Sequence, residues 1–102
     1  MDILSRIKRC ALEGNLKFSL KARDEAILDG LSPLDVRESI VNATTIAKTL
    51  RSTSAMRVSR HERLYIIIAP NLSGLMIYTK GKFVVEASVE TYYLLVSSKR
   101  SS

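Results

Sequence analysis

The sequence has little of what many chemistries need. Its 102 residues include one cysteine, one histidine, no tryptophan, two prolines and four glycines. A single Cys10 excludes an internal disulfide and gives no reason to expect an oxidising compartment. One histidine and one cysteine cannot make a zinc site of the usual kind, and the acids form no obvious metal cluster. Gly14, Gly30, Gly74 and Gly81 are scattered punctuation, so no glycine-rich phosphate loop is present. No apolar run approaches the roughly 20 residues that span a bilayer. The opening Met1-Asp2-Ile3-Leu4-Ser5-Arg6 lacks the basic-then-apolar layout of a secretory leader, which makes the cytoplasm the expected compartment.

What is there suits one globular domain over residues 1–102, with 46% hydrophobic and 25% charged residues. The net charge of +6 is unevenly placed. Residues 1–38 carry seven bases and seven acids, and residues 83–102 balance Lys99 and Arg100 against Glu86 and Glu90. The excess therefore lies in residues 39–82, where Lys48, Arg51, Arg57, Arg60, Arg63, Lys80 and Lys82 face a single acid, Glu62. Localised positive charge is the footprint of a polyanion-binding surface, and its plain counterpart is a solvated basic face.

Periodicity divides the chain. Ile3, Leu4, Ile7, Cys10 and Ala11 recur at helical spacing behind an Asp2 cap, with Gly14-Asn15 as the stop and Cys10 in the core. Ser19 opens a second helix reaching Asp29, with Gly30 beyond it. Ser32-Pro33-Leu34-Asp35 has the layout of a capping box with proline in the first turn, and predicts a third helix to about Val41, ending near Asn42. From Thr45 the period shortens. Strands are expected over Thr45–Leu50, Leu64–Ala69, Leu75–Lys80, Phe83–Val89 and Tyr92–Ser97, with a polar loop over 52–60, a turn at Pro70–Gly74 and a break at Gly81. The expectation is an α+β fold with N-terminal helices packed on one face of a mostly antiparallel sheet.

The residues left for chemistry are cations, tyrosines and His61. They suit metal-free RNA cleavage, in which the ribose 2′-hydroxyl attacks the neighbouring phosphorus. Arg and Lys hold the phosphate and its developing charge, while His, Tyr or Lys moves protons. If the hairpin pairs Ala69 with Gly74, Tyr65 lies opposite Tyr78 and Arg63 opposite Lys80, all on one face. The alternative for each tyrosine is a half-buried sheet position, and for His61 an ordinary surface residue. Arg6, Lys8, Arg9, Lys17, Lys21 and Arg23 have acids nearby and read as solvated helix positions.

Two segments resemble the MqsR-type toxins, which share the RelE-like fold. Gly30-Leu31-Ser32-Pro33-Leu34-Asp35-Val36-Arg37-Glu38-Ser39 resembles that family's Gly-Leu-Ser-x-x-Asp-x-x-x-Ser helix start. Leu64-Tyr65-Ile66-Ile67-Ile68 through Leu75-Met76-Ile77-Tyr78-Thr79-Lys80 resembles its last two strands. The opening helix followed by Lys17-Phe18-Ser19 is similar to RelE-like proteins encoded beside small zinc-finger antitoxins. The likeness covers roughly residues 3–80. It implies an mRNA-cleaving toxin without cofactor or metal, acting on free or ribosome-bound mRNA and neutralised by a cognate antitoxin, which in some relatives carries a zinc finger.

Tyr65 and Lys80 match the family's functional tyrosine and lysine. The family's helix lysine falls at Glu38, beside Arg37, and its glutamine falls near Leu50-Arg51. The expected catalytic set is then Tyr65, Lys80, His61 and Tyr78. Arg37, Lys48, Arg51, Arg57, Arg60, Arg63 and Lys82 are the expected RNA contacts. A non-catalytic RNA- or DNA-binding module and a protein-interaction domain of the same fold are the alternatives.

Overall fold

The computed structural model describes residues 1–52 and 62–101. Helices α1 (Ile3–Leu12), α2 (Leu20–Leu28) and α3 (Pro33–Asn42) precede most of the sheet. Strands are β1 (Leu16–Phe18), β2 (Lys48–Arg51), β3 (Arg63–Pro70), β4 (Met76–Glu86) and β5 (Val89–Arg100). They form one sheet in the order β1-β5-β4-β3-β2. All neighbours are antiparallel except β1 and β5. The α+β expectation holds.

Each helix begins at the cap its sequence offers. Asp2 accepts from the Ser5 amide at 2.8 Å, and the Ser19 hydroxyl accepts from the Ala22 amide at 3.0 Å. Ser32 and Asp35 close a reciprocal capping box, with Ser32 N–H donating to Asp35 at 2.9 Å and Asp35 N–H donating to Ser32 at 3.1 Å. After α2 the backbone turns at Gly30, whose φ of +72° an L side chain resists.

Hydrogen bonds from the Ser32 amide and then its hydroxyl hold the Asp35 carboxyl below its ordinary pKa, and the Ser5 amide does the same for Asp2. Folded-state values below the unfolded ones mean that this stabilisation is complete above the unfolded pKa. It is lost as pH falls through the folded one. Denaturant midpoints measured from about pH 5 down to about pH 2 should therefore fall, and less steeply in Asp35→Asn. Parallel acid limbs for the two proteins would contradict this.

The helices bury one stripe each against the same side of the sheet. Ile7 and Ala11, Ala22 and Ala26, and Val36 and Ile40 join Tyr65, Ile67, Ala69, Ile77, Tyr93 and Leu95 in a single core. Serine hydroxyls tie the layers together. Ser39 donates to the Ala69 carbonyl at 2.7 Å, Ser98 to the Ala22 carbonyl at 2.8 Å, and Ser97 to the Glu25 carboxylate at 2.7 Å. A buried hydroxyl with its partner in place avoids the penalty of an unpaired polar group.

Four local expectations are corrected. The strand expected from Thr45 begins only at Lys48. Lys17 is no helix residue but lies in β1, which pairs parallel to β5. Gly81 does not break the sheet: β4 runs through it, because the ring of Tyr93 lies over the glycine and fills the missing side chain's place.

The β3–β4 hairpin also has another register. Tyr65 pairs with Gly81 and Ile68 with Tyr78, three residues away from the pairing expected. The cause is Asn71. Its side-chain oxygen accepts from the Ser73 and Leu75 amides at 3.0 and 2.9 Å, and its amide nitrogen donates to Asp35 at 3.2 Å. The Leu72 amide donates to Glu38 at 3.1 Å. Anchored in this way to α3, the loop spans residues 71–75 instead of 70–73, and an odd shift reverses which strand faces coincide.

The β4–β5 turn uses Ala87 and Ser88 at φ of 51° and 64° between the paired Glu86 and Val89. Two-residue hairpin turns of this hand prefer Asn-Gly, since a Cβ in the left-handed region costs about 1–2 kcal/mol. The double change Ala87→Asn/Ser88→Gly should raise stability by about 1 kcal/mol, read as a higher denaturant midpoint at unchanged slope. A lower midpoint would contradict that turn geometry.

Candidate nucleic-acid interface

Because all three helices cover one side of the sheet, the described residues leave the other side uncovered. Side chains alternate along strands, so the register fixes who shares that side. Lys48, Ile66 and Lys80 form one row across β2, β3 and β4. Ile68, Tyr78 and Lys99 form the row on one flank, while Lys82, Leu94 and Lys17 form the row on the other. Val84 and Tyr92 lie beyond. Leu50, Leu64 and Met76 complete the apolar part, with Ile68 41% and Met76 40% exposed.

Five lysines thus surround an apolar bed with two tyrosines. Lys99 Nζ lies 5.3 Å from the centre of the Tyr78 ring, and Lys17 Nζ 4.2 Å from that of Tyr92. Such cation–π contacts at accessible positions contribute about 0.5–1 kcal/mol, so an incoming anion or base can displace them. Glu62, just before β3, pairs with Lys82 at 3.1 Å. The remaining lysines have no carboxylate partner among the described residues.

Chemically, an accessible bed of this kind offers aromatic faces for bases and ammonium groups for phosphates. Among the described residues no three His, Cys, Asp or Glu side chains come together as metal ligands. No helix there is long and apolar enough to cross a membrane.

The expected site residues do not all meet. Tyr78, Lys80, Lys48 and Lys82 share the uncovered side. Tyr65 faces the helices instead, 8% exposed, with its ring edge-on to Phe83 at 6.0 Å. The shared face expected for Tyr65 with Tyr78, and for Arg63 with Lys80, is therefore not formed. Arg63 and Arg51 follow Tyr65 to the helix side, and Arg37 is an exposed residue of α3. His61, Arg57 and Arg60 lie outside the described residues.

Lys17, Tyr92 and Lys99 were not among the expected contacts, yet they complete the face. Their signal was present in part: Tyr92, Leu94 and Lys99 lie on the strand expected from Tyr92, had that strand been carried on to its end at Arg100. Lys17 could be found only through the parallel pairing of β1 with β5.

The half-buried Cys10 and the buried Tyr93 carry groups that resemble reactive ones. Burial pushes the Cys10 thiol up, with the Glu90 and Glu13 charges adding to it, which is the reverse of an activated thiolate. Burial likewise drives the Tyr93 phenol far above its ordinary range, with Tyr65 nearby adding to the effect.

Comparison with protein-family models, with curated proteins and with solved structures yields no match for this chain.

Proposed function

We propose that the protein binds single-stranded RNA on the uncovered side of its sheet and cleaves it without a metal, as the toxin of a toxin–antitoxin pair. The observation that supports this most is the uncovered bed of Tyr78 and Tyr92 with Lys17, Lys48, Lys80, Lys82 and Lys99 around it. Bases stack on the rings and the backbone follows the lysines.

In the reaction, the 2′-oxygen bonds to phosphorus as the bond from phosphorus to the 5′-oxygen breaks, leaving a cyclic phosphate. Lys80 stabilises the negative charge that grows on the non-bridging oxygens, a job suited to a point cation. The Tyr78 hydroxyl, two residues away on the same side, donates a proton to the departing 5′-oxygen. The 2′-hydroxyl proton needs a base, for which the sequence offers His61 as a candidate. A cognate antitoxin, of the zinc-finger type in the resembling group, would be its partner, and cytoplasmic mRNA its substrate.

A second reading, an RNA-binding module without catalysis, is favoured by two specific placements. Tyr65, which matches the resembling family's functional tyrosine, is a core residue, and Glu38 stands where that family has a lysine and holds the 71–75 loop.

Inducible expression in a bacterial host tests both, comparing wild type with Tyr78→Phe/Lys80→Ala for growth and bulk mRNA length. Growth arrest with mRNA shortening in the wild type alone supports the nuclease. RNA that is bound by purified protein but left intact, in cells that grow normally, selects the second reading. Failure to bind RNA at low salt rejects both.

A further inference from the structure

The helix side of the same sheet carries a cationic pair that the RNA bed does not use. Arg51, the last residue of β2, is paired directly with Arg63, the first of β3. Opposed residues of an antiparallel pair point to the same side, with Cα atoms only about 5 Å apart. Both side chains therefore leave the sheet on its helix side, and like charges placed so oppose the pairing that carries them.

Nothing among the described residues neutralises them. The ion pairs there are Arg6 with Glu90 and Lys82 with Glu62, so the acid next to Arg63 in sequence serves a lysine on the other side. Arg63 Nη1 is moreover buried without a hydrogen-bond partner. A guanidinium N–H withdrawn from water and left unpaired is costly, and a fork of five donors matches the oxygens of a tetrahedral oxyanion.

We propose that Arg51 and Arg63 form a binding site for a phosphate-class anion at the β2–β3 edge, separate from the lysine–tyrosine bed. Two non-bridging oxygens of one phosphate group bridge the accessible donors of the two guanidiniums. The inference deepens the RNA reading, in which the group is a phosphodiester of the same strand passing round the edge of the sheet. A free phosphate group has the same recognition chemistry.

The test compares thermal midpoints in inorganic phosphate and in sodium chloride at equal ionic strength, for wild type, Arg51→Met, Arg63→Met and Arg63→Lys. The wild-type midpoint should rise by about 5 °C at millimolar phosphate relative to chloride. The rise should vanish in both methionine variants and shrink in Arg63→Lys, which keeps the charge but not the fork. Losing one of two opposed charges relieves repulsion, so Arg51→Met at an exposed edge position should fold. A wild-type midpoint indifferent to phosphate, or a full rise in Arg51→Met and Arg63→Met, overturns the site.

Binding of a short single-stranded RNA separates the two sources. Affinity about tenfold weaker in Arg51→Met and Arg63→Met identifies the RNA backbone as the ligand. Unchanged RNA affinity with a lost phosphate response supports a site for a free phosphate group. A phosphate response in a wild-type protein that does not bind RNA supports the site while rejecting only the RNA reading.

Discussion

Gly81→Ala should destabilise the protein by roughly 3 kcal/mol, a fall in melting temperature on the order of 15 °C. A Cβ built on Gly81 would lie 2.5 Å from Cε2 of Tyr93, 2.6 Å from its Cζ and 2.8 Å from its hydroxyl oxygen. None of these atoms is the loose end of a flexible chain. Tyr93 is fully buried, and Phe83 packs edge-on to its ring at 5.3 Å. The ring cannot retreat without opening the core, and β4 cannot retreat without losing β3 and β5.

Two further variants identify the cause. Tyr93→Leu should recover part of the loss when combined with Gly81→Ala, because it removes the atoms that clash. Tyr93→Phe in the wild-type background should be neutral or stabilising by about 1 kcal/mol, since the Tyr93 hydroxyl is buried with no hydrogen-bond partner. Denaturant titration reads all three. A loss under about 1 kcal/mol for Gly81→Ala would mean that the two groups are not in contact.

The largest functional effect is expected from Tyr78→Ala/Lys80→Ala, which should bind a short single-stranded RNA roughly 100-fold more weakly at low salt. A stacked base accounts for about 1–3 kcal/mol on alanine substitution, and a phosphate contact adds to it. The salt dependence separates the two. Lys80→Ala should lower the slope of log affinity against log salt by about 0.7, whereas Tyr78→Ala should weaken binding at an unchanged slope. Lys21→Ala, an exposed change on α2, serves as the control and should stay within about twofold. Equal effects from the bed and the control would indicate non-specific attraction to a basic protein, and the interface would have to be sought elsewhere.

Local chemistry made the helices legible. Asp2, Ser19 and Ser32 announce their caps within four residues, and the structure starts each helix at the following positions. Long-range pairing was not legible in the same way. β1 is three residues long and exists because Leu16, Lys17 and Phe18 pair with Tyr93, Leu94 and Leu95, far along the chain. Gly81 reads as a stop until Tyr93 is known to lie over it.

The candidate site followed the same division. Tyr78 and Lys80 share a face by alternation alone, which a sequence displays, whereas Lys82 joins them because β4 continues through Gly81 and Lys48 through its pairing with Ile66. The partners they face depended on the β3–β4 register, and that was set by the Asn71 side chain and by its link to Asp35 on α3. One odd shift moved Tyr65 and Arg63 to the other side. The charge count located the basic segment, but only the register puts its described lysines on one side of the sheet and Arg51 and Arg63 on the other.

The place of β5 also has a consequence for the order of events during synthesis. β5, the fifth strand in chain order, lies inside the sheet between the first strand and β4, and α2 rests on it through Ser97 and Ser98. Helices can form early on the emerging chain, yet the layer beneath them is incomplete until β5 has cleared the ribosome's exit tunnel. Pairing over such separations is slow compared with helix formation. The β1 edge, and the part of the lysine bed that Lys17, Tyr92 and Lys99 supply, therefore form only once β5 has joined the sheet.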